Sequence, residues 1–307
     1  MSRAERHDSS PPAKKWRFAE GVEIVPGRLA VRLLGGGERY ETYLAWDERL
    51  LSLVVLKVVR PHLVDDPHSL RGLAAEAELV ERLRHPVLVR GFGAVVEGPR
   101  PYLALEHLEG PRLSTLIRKF GRLELEQLLP LGLQLSAALH YLAGEGIVHL
   151  DVKPTNIIMG APARLIDLSI ARTLERLQER SHPIGTDAYM APEQCDPGRL
   201  GPITPAADIW GMGATLYHAA CARAPFVRVG ASEGASDARF PQLRDSPEPL
   251  PRDVPRPLAE LIADCLQRVP AERPVAAEVA AALEPLVGDL PQRPVLGRFR
   301  IRTRYRG

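Results

Sequence analysis

The residue pattern changes its period once, at Glu109-Gly110-Pro111, and that change limits what this chain can fold into. Before it, short apolar runs are punctuated by turn residues, as in strands; after it, apolar residues recur mostly at helical spacing. Residues 22–25 and 28–34 alternate as strands, Gly35-Gly36-Gly37 makes a turn, and 41–46 with 51–59 form a hairpin about Asp47-Glu48-Arg49. One helix is expected among these strands, over 69–83, with Leu70, Leu73, Ala77, Val80 and Leu83 on one face. Residues 87–96 and 101–105 return to strand. Beyond the switch, helices are expected over 125–143, 203–222, 256–267 and 275–286. The stretch 169–200 between them is irregular, and so long a connection inside a compact domain is usually functional. The expected class is α+β: a small β-rich half with one helix, a larger helical half, and a cleft between them of the kind that takes a small ligand.

Composition removes other classes. The net charge of +2 over 307 residues carries no nucleic-acid or membrane signal, and 45% hydrophobic with 25% charged residues is that of a soluble globular protein. No apolar run approaches the ~20 residues of a membrane span, and the polar N-terminus has no apolar signal core, so a cytoplasmic location is expected. Cys195, Cys221 and Cys265 stand too far apart for a zinc site or a disulfide framework. Residues 1–21, polar and containing Ser9-Ser10-Pro11-Pro12, are expected to be a disordered arm. Residues 230–257, rich in Pro, Ser and Asp, are expected to be a surface excursion.

The densest chemistry lies in His149-Leu150-Asp151-Val152-Lys153-Pro154-Thr155-Asn156, followed by Ala163-Arg164-Leu165-Ile166-Asp167-Leu168-Ser169. Phosphoryl transfer to a hydroxyl needs a carboxylate for the proton, cations for the phosphate charge, and oxygen ligands for a metal. Asp151, Lys153 and Asn156 supply these within six positions. Two short strands joined by Gly160-Ala161-Pro162 would bring Asp167 beside Asn156. Asn156 is the only asparagine in the chain, and five lysines stand against 40 − 5 = 35 arginines, so Lys57 and Lys153 are retained in a chain that otherwise writes Arg. A compact ammonium serves where a guanidinium does not.

These segments resemble the protein kinase family, in particular bacterial serine/threonine kinases, over about 22–287. The resemblance implies a bilobal fold with an N-lobe at about 22–105, a hinge at 106–110, a C-lobe at 111–287 and an Arg-rich tail at 288–307. It implies Asp151 as catalytic base, Lys153 on the γ-phosphate, Thr186 shaping the site for a Ser or Thr acceptor, and Asn156 and Asp167 as ligands of Mg2+ or Mn2+. ATP is the implied nucleotide, bound by Gly35 and Gly37 of the glycine-rich loop, Lys57 with its ion-pair partner Glu76, the hinge residues Glu106 and Leu108, and Ile158. Gly185-Thr186-Asp187-Ala188-Tyr189-Met190-Ala191-Pro192-Glu193 resembles the end of an activation segment. Asp208 and the Glu193–Arg273 pair are implied anchors of the helical lobe, and Val80, Leu168, His149 and Asp208 an internal spine.

Four positions depart from the family pattern. Tyr40 replaces the third glycine of the phosphate loop, Val55 the usual Ala against adenine, and Ser169 the glycine after the metal-binding Asp. Leu150 replaces the arginine that binds an activation-loop phosphate, so activity independent of phosphorylation there, for instance at Ser181, is expected. The expected function is ATP-dependent phosphorylation of protein Ser/Thr hydroxyls, autophosphorylation included; the alternative is a catalytically impaired, nucleotide-binding scaffold. In the tail, Gly297-Arg298-Phe299-Arg300-Ile301-Arg302-Thr303-Arg304-Tyr305-Arg306 would put five arginines on one face of a strand. Nucleic-acid contact is one use of such a face; a solvated tail or an added edge strand is the preferred expectation.

Overall fold

The computed structural model describes residues 14–177, 182–197, 201–226 and 239–290. The N-terminal part is an antiparallel sheet of β1 (Glu23–Val25), β2 (Arg28–Gly36), β3 (Tyr40–Asp47), β4 (Ser52–Val59), β5 (Gly91–Val95) and β6 (Tyr102–Glu106), in the order β1-β2-β3-β4-β6-β5. The period of two decides what faces the cleft. Val54, Leu56 and Val58 of β4 fill the core on one side of the sheet with Ile24, Tyr43 and Ala104. Val55 and Lys57 are therefore sent to the opposite face, where they line the cleft.

The helix α1 (Pro67–Arg82) follows β4 in sequence and packs on β5 and β6. Its start is written locally: the Asp66 carboxylate accepts from the Ser69 N–H at 2.8 Å, and Pro67 fills the first helical position, which needs no N–H. Leu73, Leu79 and Val80 of its apolar face are buried, and Glu76 is buried among them.

The helical part contains α2 (Leu113–Phe120), α3 (Leu125–Gly144), α4 (Leu174–Leu177), α5 (Pro192–Cys195), α6 (Ala206–Cys221), α7 (Arg256–Cys265) and α8 (Ala276–Gly288). Two small ladders are set among them, β7 (Ile147–Val148) with β10 (Arg172–Thr173) and β8 (Ile157–Ile158) with β9 (Arg164–Leu165). The central helices α3 and α6 pack together, and a Cβ on Gly211 of α6 would stand only 3.1 Å from the Val152 carbonyl. A glycine at that point lets α6 approach the backbone beside Asp151.

Several boundaries differ from the sequence expectation. The strand expected over 87–96 begins only at Gly91, because residues 87–89 bond β9 instead: Leu165 N–H donates to Val87 O (2.7 Å) and Val89 N–H to Leu165 O (3.1 Å). The eight residues of α2 are too few to announce a period. The helix expected from 203 starts at Ala206, with Pro205 as its cap.

The expected disordered arm, 1–21, reaches too far. The Trp16 indole N–H donates to Val59 O at 2.7 Å, Trp16 stacks on Phe18, and the Arg100 guanidinium lies over both rings. Residues 1–13 lie outside the described residues. The surface excursion expected over 230–257 is also only partly one. Phe240 and Leu243 are buried against Met190 and Cys195, and the Gln242 amide donates to the carbonyls of Asp187 and Met190. Among the described residues no helix is long and apolar enough to cross a membrane, and the three cysteines are unpaired. The tail from 291 on, with its arginines, and Ser181 lie outside the described residues.

Candidate active site

A cleft of about 1040 Å³ opens between the sheet and the helical part, with walls from both. The glycine turn between β2 and β3 forms one edge. A Cβ added at Gly35 or Gly37 would meet no protein atom within 4 Å, so this edge stands open toward whatever the cleft holds. Deeper in, Val55, Leu105 and Ile158 give apolar walls. At the back, Glu106 and Leu108 line the cleft. The Glu106 carboxylate is committed elsewhere, to Arg164 Nη2 at 2.5 Å and the Arg90 N–H at 2.8 Å. Leu108 has no hydrogen-bonding partner for its backbone among the described residues, which leaves its N–H and C=O to a flat polar ligand.

Lys57 projects from β4 into this space and meets two carboxylates. Its Nζ lies 2.6 Å from Glu76 Oε2 on α1 and 3.3 Å from Asp167 Oδ1, which follows β9. Burial would lower the Lys57 ammonium, but the charges of Glu76 and Asp167 outweigh it and hold the group protonated, above its ordinary range. Burial would raise Asp167; Lys57 and the hydrogen bonds it receives outweigh that and hold its carboxyl at about 2. One of those bonds comes from Ser169, whose backbone N–H lies 3.4 Å from Asp167 Oδ1.

The second cluster sits on the loop between β7 and β8. Asp151 Oδ1 accepts from the Thr186 hydroxyl at 2.7 Å, and Oδ2 from Asn156 Nδ2 at 2.9 Å. Lys153 Nζ is 2.6 Å from Asp151 Oδ2 and also donates to Thr186 Oγ1. A carboxylate offers about four acceptor positions. These three contacts leave one at Oδ1 for an incoming hydroxyl.

Asn156 spends both its amide hydrogens inside this loop, on the Asp151 backbone and side-chain oxygens. Its Oδ1 is therefore left without a protein donor. The β8–β9 register, with Ile166 N–H on Asn156 O at 2.8 Å, places Asp167 one residue from the position opposite Asn156. Asp167 Oδ2 is likewise unspent, and its side chain is 40% exposed, toward the cleft. Two hard oxygen donors beside a cleft large enough for a polyphosphate fit a divalent cation of the magnesium type, which completes its shell with phosphate oxygens and water.

The Asp151 loop is fixed from below. Asp208 on α6 accepts from the backbone N–H groups of His149 (2.7 Å) and Leu150 (2.8 Å). Leu150 holds a φ of +69°, in the left-handed region that a leucine occupies only when its surroundings enforce it. Its surroundings do: Asp208 takes its N–H, Gln194 Nε2 donates to its C=O at 3.0 Å, and its side chain is buried in the main core. Glu193 and Arg273, both fully buried, make a bidentate pair at 2.7 and 2.8 Å, and Arg273 lies over the Trp210 ring.

The structure thus brings together Lys57, Glu76 and Asp167 in one cluster, which lines the cleft, and Asp151, Lys153, Asn156 and Thr186 in another, which the β8–β9 ladder joins to the first by setting Asp167 beside Asn156. Val80, Leu168, His149 and Asp208 are all buried. Two participants were not foreseen. Gln194 clamps Leu150 and Ile184 through their carbonyls, and nothing in its sequence context marks it. Tyr40 reaches the Lys57 ammonium with its ring, and the one hint in the sequence is its place in the glycine turn.

Comparison with known proteins gives the family. The protein kinase domain model matches residues 29–282. The serine/threonine-protein kinase PknA of Mycobacterium tuberculosis is 32% identical over 289 residues, covering 89% of this chain and 64% of that protein. The probable serine/threonine-protein kinase PkwA of Thermomonospora curvata is 32% identical over 263 residues, 85% of this chain and 34% of that protein. The serine/threonine-protein kinase PkaA of Streptomyces coelicolor is 33% identical over 238 residues, 75% of this chain and 42% of that protein. The chain therefore spans less than two thirds of the length of these relatives.

Proposed function

The chain belongs to the protein kinase family, and from that premise we propose that it transfers the γ-phosphoryl group of ATP to serine and threonine hydroxyls of protein substrates, itself included. The observation that carries this is the pairing of two clusters joined by the β8–β9 ladder: Lys57 on Glu76 and Asp167, which line the cleft, and Asp151 on Asn156, Lys153 and Thr186.

Each residue has a defined task. The open turn at Gly35 and Gly37 admits phosphates beneath the backbone, while Val55, Leu105 and Ile158 enclose the base and the hinge peptides at Glu106 and Leu108 bond its edge. Lys57, kept charged by its two carboxylates, neutralises the α- and β-phosphates. Asn156 and Asp167 would hold a divalent cation, Mg2+ or Mn2+, which when bound would supply positive charge against the phosphoryl oxygens. Lys153 faces the same oxygens from below. Asp151 offers its free Oδ1 position to the substrate hydroxyl, orients it, and accepts its proton as the oxygen bonds the γ-phosphorus and the bond to the bridging oxygen breaks, releasing ADP. Thr186 bridges Asp151 and Lys153, and so fixes the wall against which a short Ser or Thr side chain sits. The domain is placed where ATP is abundant and thiols stay reduced, in the cytoplasm.

The test is incorporation of γ-labelled phosphate into a generic protein substrate, with identification of the labelled amino acid. Magnesium-dependent label on serine or threonine, lost in Lys57→Met, is expected. Label on tyrosine alone, or none on wild type under any divalent metal, contradicts the proposal.

A further inference from the structure

Tyr40 stands where the family pattern has a glycine, and phosphate binding needs no aromatic ring there. The β3–β4 register pairs Thr42 with Lys57 and Tyr40 with Val59, so Tyr40 and Lys57 are diagonal neighbours on one face of the sheet. The Tyr40 ring lies 4.9 Å from Lys57 Nζ. Its hydroxyl continues past the lysine and donates to the Ser69 carbonyl, in the first turn of α1, at 2.8 Å. Burial raises the phenol's pKa, which keeps it in the form that donates.

Ser69 and Glu76 are seven positions apart, about two turns, and so share a helix face. Both are buried, at 0% and 2% exposure. Sheet and helix are thus joined by two parallel rungs, Tyr40–Ser69 and Lys57–Glu76, whose ends are neighbours on each side. Between the rungs the helix carries Gly72. A Cβ at Gly72 would lie 2.9 Å from the Tyr40 hydroxyl oxygen. Glycine is the poorest helix former after proline, so one in mid-helix needs a reason, and clearance for Tyr40 supplies it. Leu150 adds a motive. Its buried side chain offers no cation to a phosphorylated activation segment, so the placement of α1 must come from elsewhere.

We propose that Tyr40 is a positioning residue: a strut that holds α1 against the sheet and thereby keeps Glu76 on Lys57, with Gly72 as the clearance it requires. The strut acts on the transfer reaction through Lys57 and touches no reacting atom. It rests on the kinase reading only where rates are measured.

The first arm of the test needs no catalysis. Hydrogen exchange on the full chain compares wild type with Tyr40→Phe, which deletes one hydroxyl. Exchange over residues 67–76 is expected to rise about five- to tenfold, the scale of one lost hydrogen bond, with α3 unchanged. Unchanged exchange over α1 overturns the strut, whether or not the chain is a kinase. The second arm is kinetic: Tyr40→Phe is expected to lower kcat about threefold or more while KM for ATP stays within about twofold. A rise in kcat with a lower KM would make Tyr40 an obstruction and overturn the proposal. The third arm is a reversal of sign. Gly72→Ala is expected to lower Tm with Tyr40 present and to raise it in a Tyr40→Gly background, where alanine only favours the helix. The same sign in both backgrounds overturns the pairing of Tyr40 with Gly72. A wild type that transfers no phosphate defeats the kinase reading and leaves the first and third arms to decide the strut.

Discussion

On the helical side of the cleft, the loop bearing Asp151 is fixed through its backbone by buried groups: Asp208 takes the His149 and Leu150 N–H groups, Gln194 the Leu150 carbonyl, and the Glu193–Arg273 pair braces the helices beneath. On the sheet side, Lys57 is fixed through its side chain, by Glu76 on a helix that itself is tied to the sheet by a tyrosine hydroxyl and apolar packing. The first arrangement is anchored to the core at several points along its backbone. The second depends on where one helix lies. On the proposed function, the acceptor site would be a property of the core and the donor site a property of how α1 docks.

The largest expected effect is on the helical side. Removing one partner of the buried pair, as in Glu193→Ala, leaves Arg273 charged and unpaired at zero exposure, at a cost of about 3–5 kcal/mol. Denaturant unfolding should show a midpoint lowered by a large fraction of the domain's stability. On the sheet side the expected effect is catalytic. Lys57→Met should lower the transfer rate by about a hundredfold or more through lost charge stabilisation, while its denaturation midpoint moves less than that of Glu193→Ala, because burial raises the Glu76 carboxyl left behind so that it can take up a proton, whereas an arginine cannot shed one. If Lys57→Met unfolds the chain as readily as Glu193→Ala does, the contrast between the two sides fails.

Much of the helical side is legible in the sequence because its parts are close together along the chain. Asp151, Lys153 and Asn156 lie within six positions, and the turn that returns Asp167 to Asn156 is marked by Gly160 and Pro162. Lys57 and Glu76 are found through family spacing, because nothing in a lone strand lysine points to a partner on the following helix. The Tyr40–Ser69 bond spans 29 positions and depends on the twist of β3 over α1, which no local period encodes. Gly72 looks like a weak point in a helix until the tyrosine above it is seen. Trp16 and Phe18 fail for a related reason: two aromatics in a polar stretch do not reveal that the sheet edge offers the Val59 carbonyl and Arg100 to receive them. Likewise Phe240 and Gln242 sit in a Pro- and Ser-rich segment whose composition hides the cavity beside Cys195 that they fill.

Asp167 gives a smaller, pH-dependent test of the same contrast. Its carboxyl is lowered from 3.8 to about 2 in the folded chain, so it contributes stability that is present above about pH 4 and lost as pH falls toward 2. Lys57→Met removes the counter-charge that lowers this carboxyl, so the acid-labile contribution should shrink and the fall of stability between about pH 4 and 2 should flatten; acid-unfolding curves of the two proteins check this. The smallest expected effect concerns Leu150. With no cation there to receive a phosphate, phosphatase treatment of the purified chain should change its transfer rate by less than about twofold. A drop of about tenfold or more would mean that α1 relies on a phosphate after all.

The most direct measurement is single-turnover transfer from labelled Mg-ATP to a serine peptide, wild type beside Asp151→Asn, with nucleotide affinity determined on both. If the donor site is built on Lys57 and Asp167 and the acceptor site on Asp151, the variant binds Mg-ATP within about threefold of wild type and transfers about a hundredfold or more slowly. Equal transfer rates, or a loss of nucleotide affinity as large as the loss of rate, would contradict it.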